Sequence, residues 1–158
     1  MKAAYIALGA NLGDPVATVR AAFAALSDLD GVRLVAASSL YRTAPVGLTD
    51  QPDFINAVAR VDTCLAPEAL LRALLGLEAE FGRVRQEKNG PRTLDLDLLL
   101  YENLVLDTPD LVLPHPRLHL RAFVLAPLAE VAPDLAIPGR GTVAAWLPAV
   151  ANQAIERL

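Results

Sequence analysis

The sequence predicts an α+β fold in which a mixed or antiparallel sheet carries helices on its faces. Strand-like and helix-like segments alternate along the chain, but two pairs of successive strands have no helix between them. Hydrophobic residues make up 54% of the 158 positions, enough to fill a core without disulfides or structural metal. This length suits one domain and is short for two, and no repeat divides it, so we expect one domain over residues 1–158.

The first 63 residues are predicted to contain three strands and one helix. The strands cover residues 5–8, 32–41 and 54–63, and an irregular loop covers 42–47. The helix begins at Pro15 after the N-cap residue Asp14 and ends near residue 29. The glycines of the GANLG segment, residues 9–13, are expected to serve the strand-to-helix turn, and we assign them no ligand.

The rest of the chain, from Pro67 on, is predicted to be mostly helical around one strong strand. Pro67 opens a helix whose leucines recur at helical spacing until it stops before Gly82. The clearest strand covers 94–101, and 103–107 is expected to pair with it. Further helices are expected over 121–132 and over 141–158, the second one bent at Pro148.

Charge and cysteine usage exclude several classes of protein. The net charge of -4 argues against a nucleic-acid binder, whose surface would be basic. Charged residues interrupt every stretch long enough to span a bilayer, so we expect no membrane segment and no secretory signal. The lone Cys64 cannot form an internal disulfide, which favours a reducing, cytoplasmic compartment, and we expect it in the core.

Two carboxylates in the strand at 94–101 are the strongest sign of chemistry. Because side chains alternate along a strand, Asp95 and Asp97 project from one face and the neighbouring leucines from the other. Burying both acids without a counter-charge would cost on the order of several kcal/mol. A divalent cation, a pair of arginines or exposure at a sheet edge would each offset that cost. Mg²⁺ suits the pair well, since it prefers one or two carboxylates with water and phosphates.

A cluster of cations precedes this acid pair. It consists of Arg83, Arg85, Lys88 and Arg92. Asn89, Gly90 and Pro91 force a turn, so the cations lie on a loop that leads into the strand. Salt bridges to the two acids would use only part of this charge, and arginine suits bidentate contact with phosphate. Paired acids beside arginines are the combination that phosphoryl transfer needs.

Two residues farther along the chain are further candidates for this site. His115 lies between two prolines on a rigid loop. Two interpretations of this histidine have equal weight: a hydrogen-bond donor to a phosphate or nucleotide, or an ordinary structural residue. Arg121 opens the expected helix beside Phe123 and either caps a loop or reaches the same phosphates. No P-loop, dinucleotide-binding or nucleophile-elbow motif is present.

Five ordered blocks of sequence carry a family resemblance over about residues 5–138. They are ALGANLG at 7–13, SLYRTAPVG at 39–47, DQPDFIN at 50–56, GPRTLDLD at 90–97, and PHP at 114–116 with RAF at 121–123. Together they resemble the 6-hydroxymethyl-7,8-dihydropterin pyrophosphokinases, folate-pathway enzymes that move a diphosphate from ATP to a pterin alcohol. Five blocks in order are far more specific than any one motif. The segment after Gly139 carries no resemblance.

The resemblance implies a ferredoxin-like fold that binds ATP, two Mg²⁺ ions and a pterin. The implied metal ligands are Asp95 and Asp97, which form the catalytic set with Arg83 and Arg92. The implied nucleotide contacts are Glu78, Arg85, Leu98, His115 and Arg121. The implied pterin contacts are Thr43, Pro45, Val46, Phe54, Asn56 and Phe123. Only 5% of the chain is aromatic, so a phenylalanine on either side of a flat heterocycle has a clear use.

Three positions depart from the family pattern. Asn89 stands where some members carry tryptophan, in a loop that is one residue shorter, and Asp110 and Val112 stand where members have arginine and threonine. These differences concern loop closure and ATP contacts rather than the metal pair. A ligand-binding domain without catalysis and a nucleotidyltransferase that releases pyrophosphate are the alternative functions. The sequence identifies no protein partner.

Overall fold

A computed structural model describes residues 1–45, 50–82 and 93–158. The strands are β1 (Lys2–Ala10), β2 (Val32–Ala37), β3 (Tyr41–Thr43), β4 (Phe54–Thr63), β5 (Asp95–Tyr101), β6 (Leu106–Asp107), β7 (Val112–Leu113), β8 (Ala136–Ile137), β9 (Gly141–Thr142) and β10 (Glu156–Arg157). The helices are α1 (Pro15–Ser27), α2 (Pro67–Glu80), α3 (Ala122–Val131) and α4 (Val143–Trp146), with 3-10 turns at Leu118–Leu120 and Leu147–Val150.

The main sheet is built around β1 and β4. Strand β1 pairs with β4 on one side and with β5 on the other, while β2 and β3 pair with successive parts of β4 and β10 adds to β3. All of these described pairings are antiparallel. Helix α1 connects β1 to β2 and α2 connects β4 to β5, which is the ferredoxin-like arrangement. The predicted α+β fold class is confirmed, in its antiparallel form.

Each face of this sheet is covered by different helices. One core cluster joins Ile6 and Leu8 of β1 to Leu26 of α1 and Leu74 of α2. A second cluster, on the other face, includes Leu125 and its neighbours on α3 together with the C-terminal segments. Burial on both faces explains why the central strands are so apolar. Among the described residues no helix has the length and apolar character needed to cross a membrane.

Two predicted helices are confirmed together with their start signals. The carboxylate of Asp14 accepts a hydrogen bond from Ala17 N at 3.2 Å, and Pro15 is the first residue of α1. Helix α2 starts at Pro67 and ends before Gly82. Cys64, expected in the core, is exposed instead, because the chain leaves β4 there to reach α2.

The predicted strand at 32–41 is two strands. Ser38 interrupts it: its N–H donates to Val58 O and its hydroxyl accepts from Val58 N, both at 2.9 Å. The side chain therefore takes the place of a backbone carbonyl, and the chain shifts along β4 before β3 begins. Residues 42 and 43, expected in a loop, belong to β3.

Two further expectations about secondary structure are wrong. Residues 106–107 pair with β7 rather than with β5, because Thr108 and Leu111 exchange hydrogen bonds of 3.0 Å that turn the chain back. Residues 141–158 do not form one helix. Pro148 lacks an N–H and cannot continue α4, so a 3-10 turn follows, and the chain then returns to the main sheet as β10.

A β-bulge divides β5. Tyr5 pairs with Leu100, but the next residue, Ile6, pairs with Leu98, so Leu99 is an extra residue in the strand. Side chains along β5 point to alternate faces of the sheet, and this alternation shifts by one residue at Leu99. Asp95 and Asp97 face α3, whereas Tyr101 joins the core beneath α1 and α2, where its hydroxyl donates to Leu65 O at 2.6 Å.

Candidate active site

A cavity of about 570 Å³ lies on the α3 face of the main sheet. Strands β1, β3, β4 and β5 form its floor and one wall, and the first turn of α3 forms another. Eight of the predicted site residues line it: Thr43, Pro45, Phe54, Asn56, Asp95, Asp97, Arg121 and Phe123. Val46, Arg83, Arg85 and Arg92, together with Asn89, lie outside the described residues.

The floor of the cavity follows one row of the sheet. Gly9 pairs with Asn56 on one side and with Asp95 on the other. Asn56 and Asp95 are therefore two inter-strand spacings apart, or about 10 Å. A Cβ on Gly9 would lie 3.1 Å from Asn56 Oδ1, so the missing side chain leaves the floor open between them. The expectation that this glycine serves the turn is therefore wrong, whereas Gly13, with a φ of 63°, does serve it.

The polar edge of the cavity is fixed by a buried hydrogen bond. Asn56 Nδ2 donates to Thr43 Oγ1 at 2.8 Å, and both residues are buried. This bond links β4 to β3 and sets the orientation of the amide. Behind it, the buried Asn11 Nδ2 donates to Pro52 O at 3.0 Å, which ties the loop after β1 to the segment before β4.

The acid pair lies beside Arg121. Burial and the charge of Arg117 lower the pKa of the Arg121 guanidinium, while the carboxylates of Asp97 and Asp95 raise it. The described residues contain no group of three metal-ligating side chains. Two carboxylates on one face of a strand are nevertheless the donor set that Mg²⁺ accepts when water and phosphate oxygens complete its coordination, so the residues present fit this ion.

His115 is held as a neutral hydrogen-bond donor. Its backbone N–H donates to Leu99 O at 2.9 Å, which fixes the main chain. Its ring Nδ1 accepts from Arg117 N at 3.2 Å, so the ring proton is on Nε2. Burial, with the charges of Arg121 and Arg117, lowers the pKa of His115 to about 4, against a raising effect of Asp95. At neutral pH the residue therefore carries no charge beside the acid pair.

Two aromatic rings complete the lining. Phe54 at the start of β4 and Phe123 in the first turn of α3 both line the cavity and remain partly exposed. The Arg121 guanidinium carbon lies 5.4 Å from the centre of the Phe123 ring, within the range of a cation–π contact. Partly exposed rings at the two walls provide surfaces on which a flat ligand can stack.

Two predicted nucleotide contacts lie away from the cavity. Leu98 is buried in the core on the opposite face of β5, which leaves only its backbone for a ligand. Glu78 is buried on α2, where its Oε2 accepts a hydrogen bond from Leu96 N at 2.7 Å. This hydrogen bond fixes the backbone of β5 between Asp95 and Asp97 from the side of the sheet that α2 covers.

Sequence reasoning missed the contribution of the C-terminal segment. Gln153, Ala154 and Ile155 line the cavity, although the segment after Gly139 matched no family block. Local pattern gives no signal for them, because the partners of Gln153 are 31 and 33 residues away in sequence.

Comparison with known proteins identifies the family. A family model described as 7,8-dihydro-6-hydroxymethylpterin-pyrophosphokinase matches residues 5–133. A 2-amino-4-hydroxy-6-hydroxymethyldihydropteridine pyrophosphokinase from Pseudomonas aeruginosa is 50% identical over 154 residues, covering 98% of this chain and 95% of the relative. A protein of the same name from Methylorubrum extorquens is 47% identical over 158 residues, covering 100% of this chain and 99% of the relative.

Solved structures agree with this result at the level of the fold. A crystal structure of Plasmodium falciparum HPPK-DHPS with pteroate aligns over 96% of this chain with a TM-score of 0.76. An HPPK-DHPS structure in complex with substrates gives a TM-score of 0.74. Both are 13% identical in sequence, and this chain spans only 42% and 44% of their lengths. The family match and the two relatives together show that the chain belongs to the 7,8-dihydro-6-hydroxymethylpterin pyrophosphokinase family.

Proposed function

We propose that this chain transfers the diphosphate of ATP to the hydroxymethyl group of 6-hydroxymethyl-7,8-dihydropterin, releasing AMP, in folate biosynthesis. The observation that carries the proposal is the row Asn56, Gly9, Asp95 across the cavity floor. It provides an amide edge and an acid edge about 10 Å apart, with open space between them. A pterin at the first edge would direct its hydroxymethyl group toward phosphates held at the second.

The proposed reaction is a direct displacement at phosphorus. The pterin hydroxyl oxygen forms a bond to the β-phosphorus of ATP. The bond from the β-phosphorus to the oxygen it shares with the α-phosphate breaks, and AMP leaves with that oxygen. The hydroxyl proton passes to solvent, because the neutral His115 already uses Nδ1 as an acceptor and we assign it no role as a base.

The acid edge is proposed to receive the triphosphate. Asp95 and Asp97 would hold two magnesium ions, which when bound offset the negative charge of the phosphate oxygens. The Nε2–H of His115 suits a phosphate oxygen, and Arg121 adds positive charge beside the acid pair. Arg83 and Arg92 are proposed to contact the phosphates during transfer and, with Arg85 and the Leu98 backbone, to complete the nucleotide site. Glu78, which the resemblance implied as a nucleotide contact, is proposed instead to support this edge from α2 through its hydrogen bond from Leu96 N.

The amide edge is proposed to receive the pterin. Its ring would stack between Phe54 and Phe123, both of which line the cavity. Asn56 and the backbone of Thr43, Pro45 and Val46 would hydrogen-bond its polar edge. The hydrogen bond from Asn56 to Thr43 supports this role, because it holds the amide in one orientation before the ligand arrives.

A product assay tests the proposal. Wild-type protein with ATP, Mg²⁺ and the pterin should form AMP. Formation of pyrophosphate in place of AMP would indicate a nucleotidyltransferase. Binding of ATP or the pterin without formation of either product would indicate a ligand-binding domain. Asp97→Ala should abolish AMP formation without loss of fold. The matched control is Asp107→Ala, at an exposed position on β6 outside the cavity. Normal magnesium-dependent turnover by Asp97→Ala would refute the assignment.

The proposal also covers the setting of the reaction. We treat residues 1–158 as one catalytic domain with two small-molecule substrates and no nucleic-acid partner. The lone Cys64 and the pterin substrate of folate biosynthesis are consistent with a cytoplasmic location.

A further inference from the structure

The side chain of Gln153 forms a clamp around the peptide groups that flank Arg121. Its Nε2 donates to Leu120 O at 2.9 Å, and its Oε1 accepts from Ala122 N at 2.9 Å. Ala122 is the first residue of α3, so its N–H has no partner within the helix. Arg121, the N-cap residue, makes no side-chain cap, and Gln153 supplies it from a distant part of the chain.

The segment that carries Gln153 is fixed at its other end to the opposite wall. Strand β10 pairs with β3, Arg157 lying opposite Tyr41, and Leu158 N donates to Leu40 O at 2.9 Å. Strand β3 ends at Thr43, on the polar edge of the cavity. The C-terminal segment therefore connects the wall that carries Thr43 to the wall that carries Phe123.

We propose that Gln153 is a positioning residue for the pterin site, acting through the first turn of α3. Two hydrogen bonds from one planar amide fix the peptide groups on both sides of Arg121, and Phe123 follows directly in the same turn. Without the clamp this turn frays, as uncapped helix starts do, and the ring samples positions that do not close the cavity. This inference rests on the proposed function, which supplies the ligand that stacks on Phe123.

A double-mutant cycle tests the inference. Pterin affinity is measured by equilibrium binding, with a non-hydrolysable ATP analogue and Mg²⁺, for wild type, Gln153→Ala, Phe123→Leu and the double variant. Gln153→Ala should weaken pterin binding about tenfold in the wild-type background and less than twofold in the Phe123→Leu background. Gln153→Glu, which keeps the acceptor for Ala122 N but cannot donate to Leu120 O, should fall between Gln153→Ala and wild type.

The control is Asn152→Ala, at the exposed neighbouring position, which should bind pterin like wild type. Melting temperatures verify that each variant is folded. An equal loss in both backgrounds, or unchanged affinity for Gln153→Ala, would overturn the positioning role while the proposed function stands. If wild type neither binds the pterin nor forms AMP, the proposed function fails, and the inference fails with it.

Discussion

Replacing Glu78 by alanine should destabilise the protein and disturb the acid pair together. Glu78 is buried, and its carboxylate accepts a 2.7 Å hydrogen bond from Leu96 N, the amide between Asp95 and Asp97 in sequence. Among the described strands, β5 pairs only with β1, so this contact supports the strand from the side of α2. Alanine leaves a buried N–H without that acceptor.

The magnitude follows from the nature of this bond. A hydrogen bond to a charged group contributes about 1.5–3 kcal/mol, and the space left by the side chain adds to its loss. We expect the free energy of unfolding to fall by about 3 kcal/mol. For a chain of this size that corresponds to a drop in melting temperature of about 6–12 °C. Glu78→Gln keeps an oxygen acceptor and should lose only about 1 kcal/mol.

Calorimetry and turnover measured on the same samples check this reasoning. At 25 °C, where Glu78→Ala should still be folded, we expect AMP formation to fall about 10–100-fold, because the displaced strand carries both acids. Glu80→Ala, at an exposed position on the same helix, is the control for loss of an acid from α2. Unchanged melting temperature with a raised KM for ATP would refute the reasoning and make Glu78 a nucleotide contact.

Three further predictions concern Gly9 in the cavity floor, His115 and Arg92. Gly9→Ala should weaken pterin binding about tenfold, because the new Cβ lies 3.1 Å from Asn56 Oδ1 and displaces the amide; unchanged affinity by titration would contradict this. The free energy of unfolding should fall by up to about 3 kcal/mol from pH 6.5 to pH 4, because the unfolded His115 binds a proton that the native one, with its pKa lowered to about 4, does not. His115→Gln should remove that part of the pH dependence in denaturant titrations. Arg92→Ala should lower kcat far more than pterin affinity; the reverse would make it only a binding group.

The parts of the fold that sequence reasoning predicted are those with local signals. Asp14 with Pro15 starts α1, Pro67 starts α2, and the alternation of leucine with aspartate at 94–97 predicts the common face of the two acids. The region after Gly139 has apolar residues at helical spacing but does not form one helix, because Pro148 stops the helix and pairing with β3 holds the end of the chain.

The site shows the same division between local and distant signals. The acid pair was predictable because two carboxylates in an apolar strand suggest their own chemistry, whereas the two phenylalanines came from the family resemblance. Gly9 was misassigned because a glycine near a turn is usually part of the turn, and only the register with Asn56 and Asp95 gives it another role. Gln153 gave no signal, since its hydrogen-bond partners are backbone groups distant in sequence, one in the 3-10 turn before α3 and one at the first residue of α3.

The extra residue at Leu99 acts as a phase shift in the two-residue repeat of β5. Before it, the odd-numbered acids face the cavity; after it, odd-numbered Tyr101 faces the opposite core. Deleting Leu99 would put the two halves of the strand back in phase. Either the carboxylates would then turn into the apolar layer beneath α1 and α2, or Tyr101 would leave it. Anyone transplanting this acid-bearing strand into a designed sheet should therefore count the bulge as part of the motif.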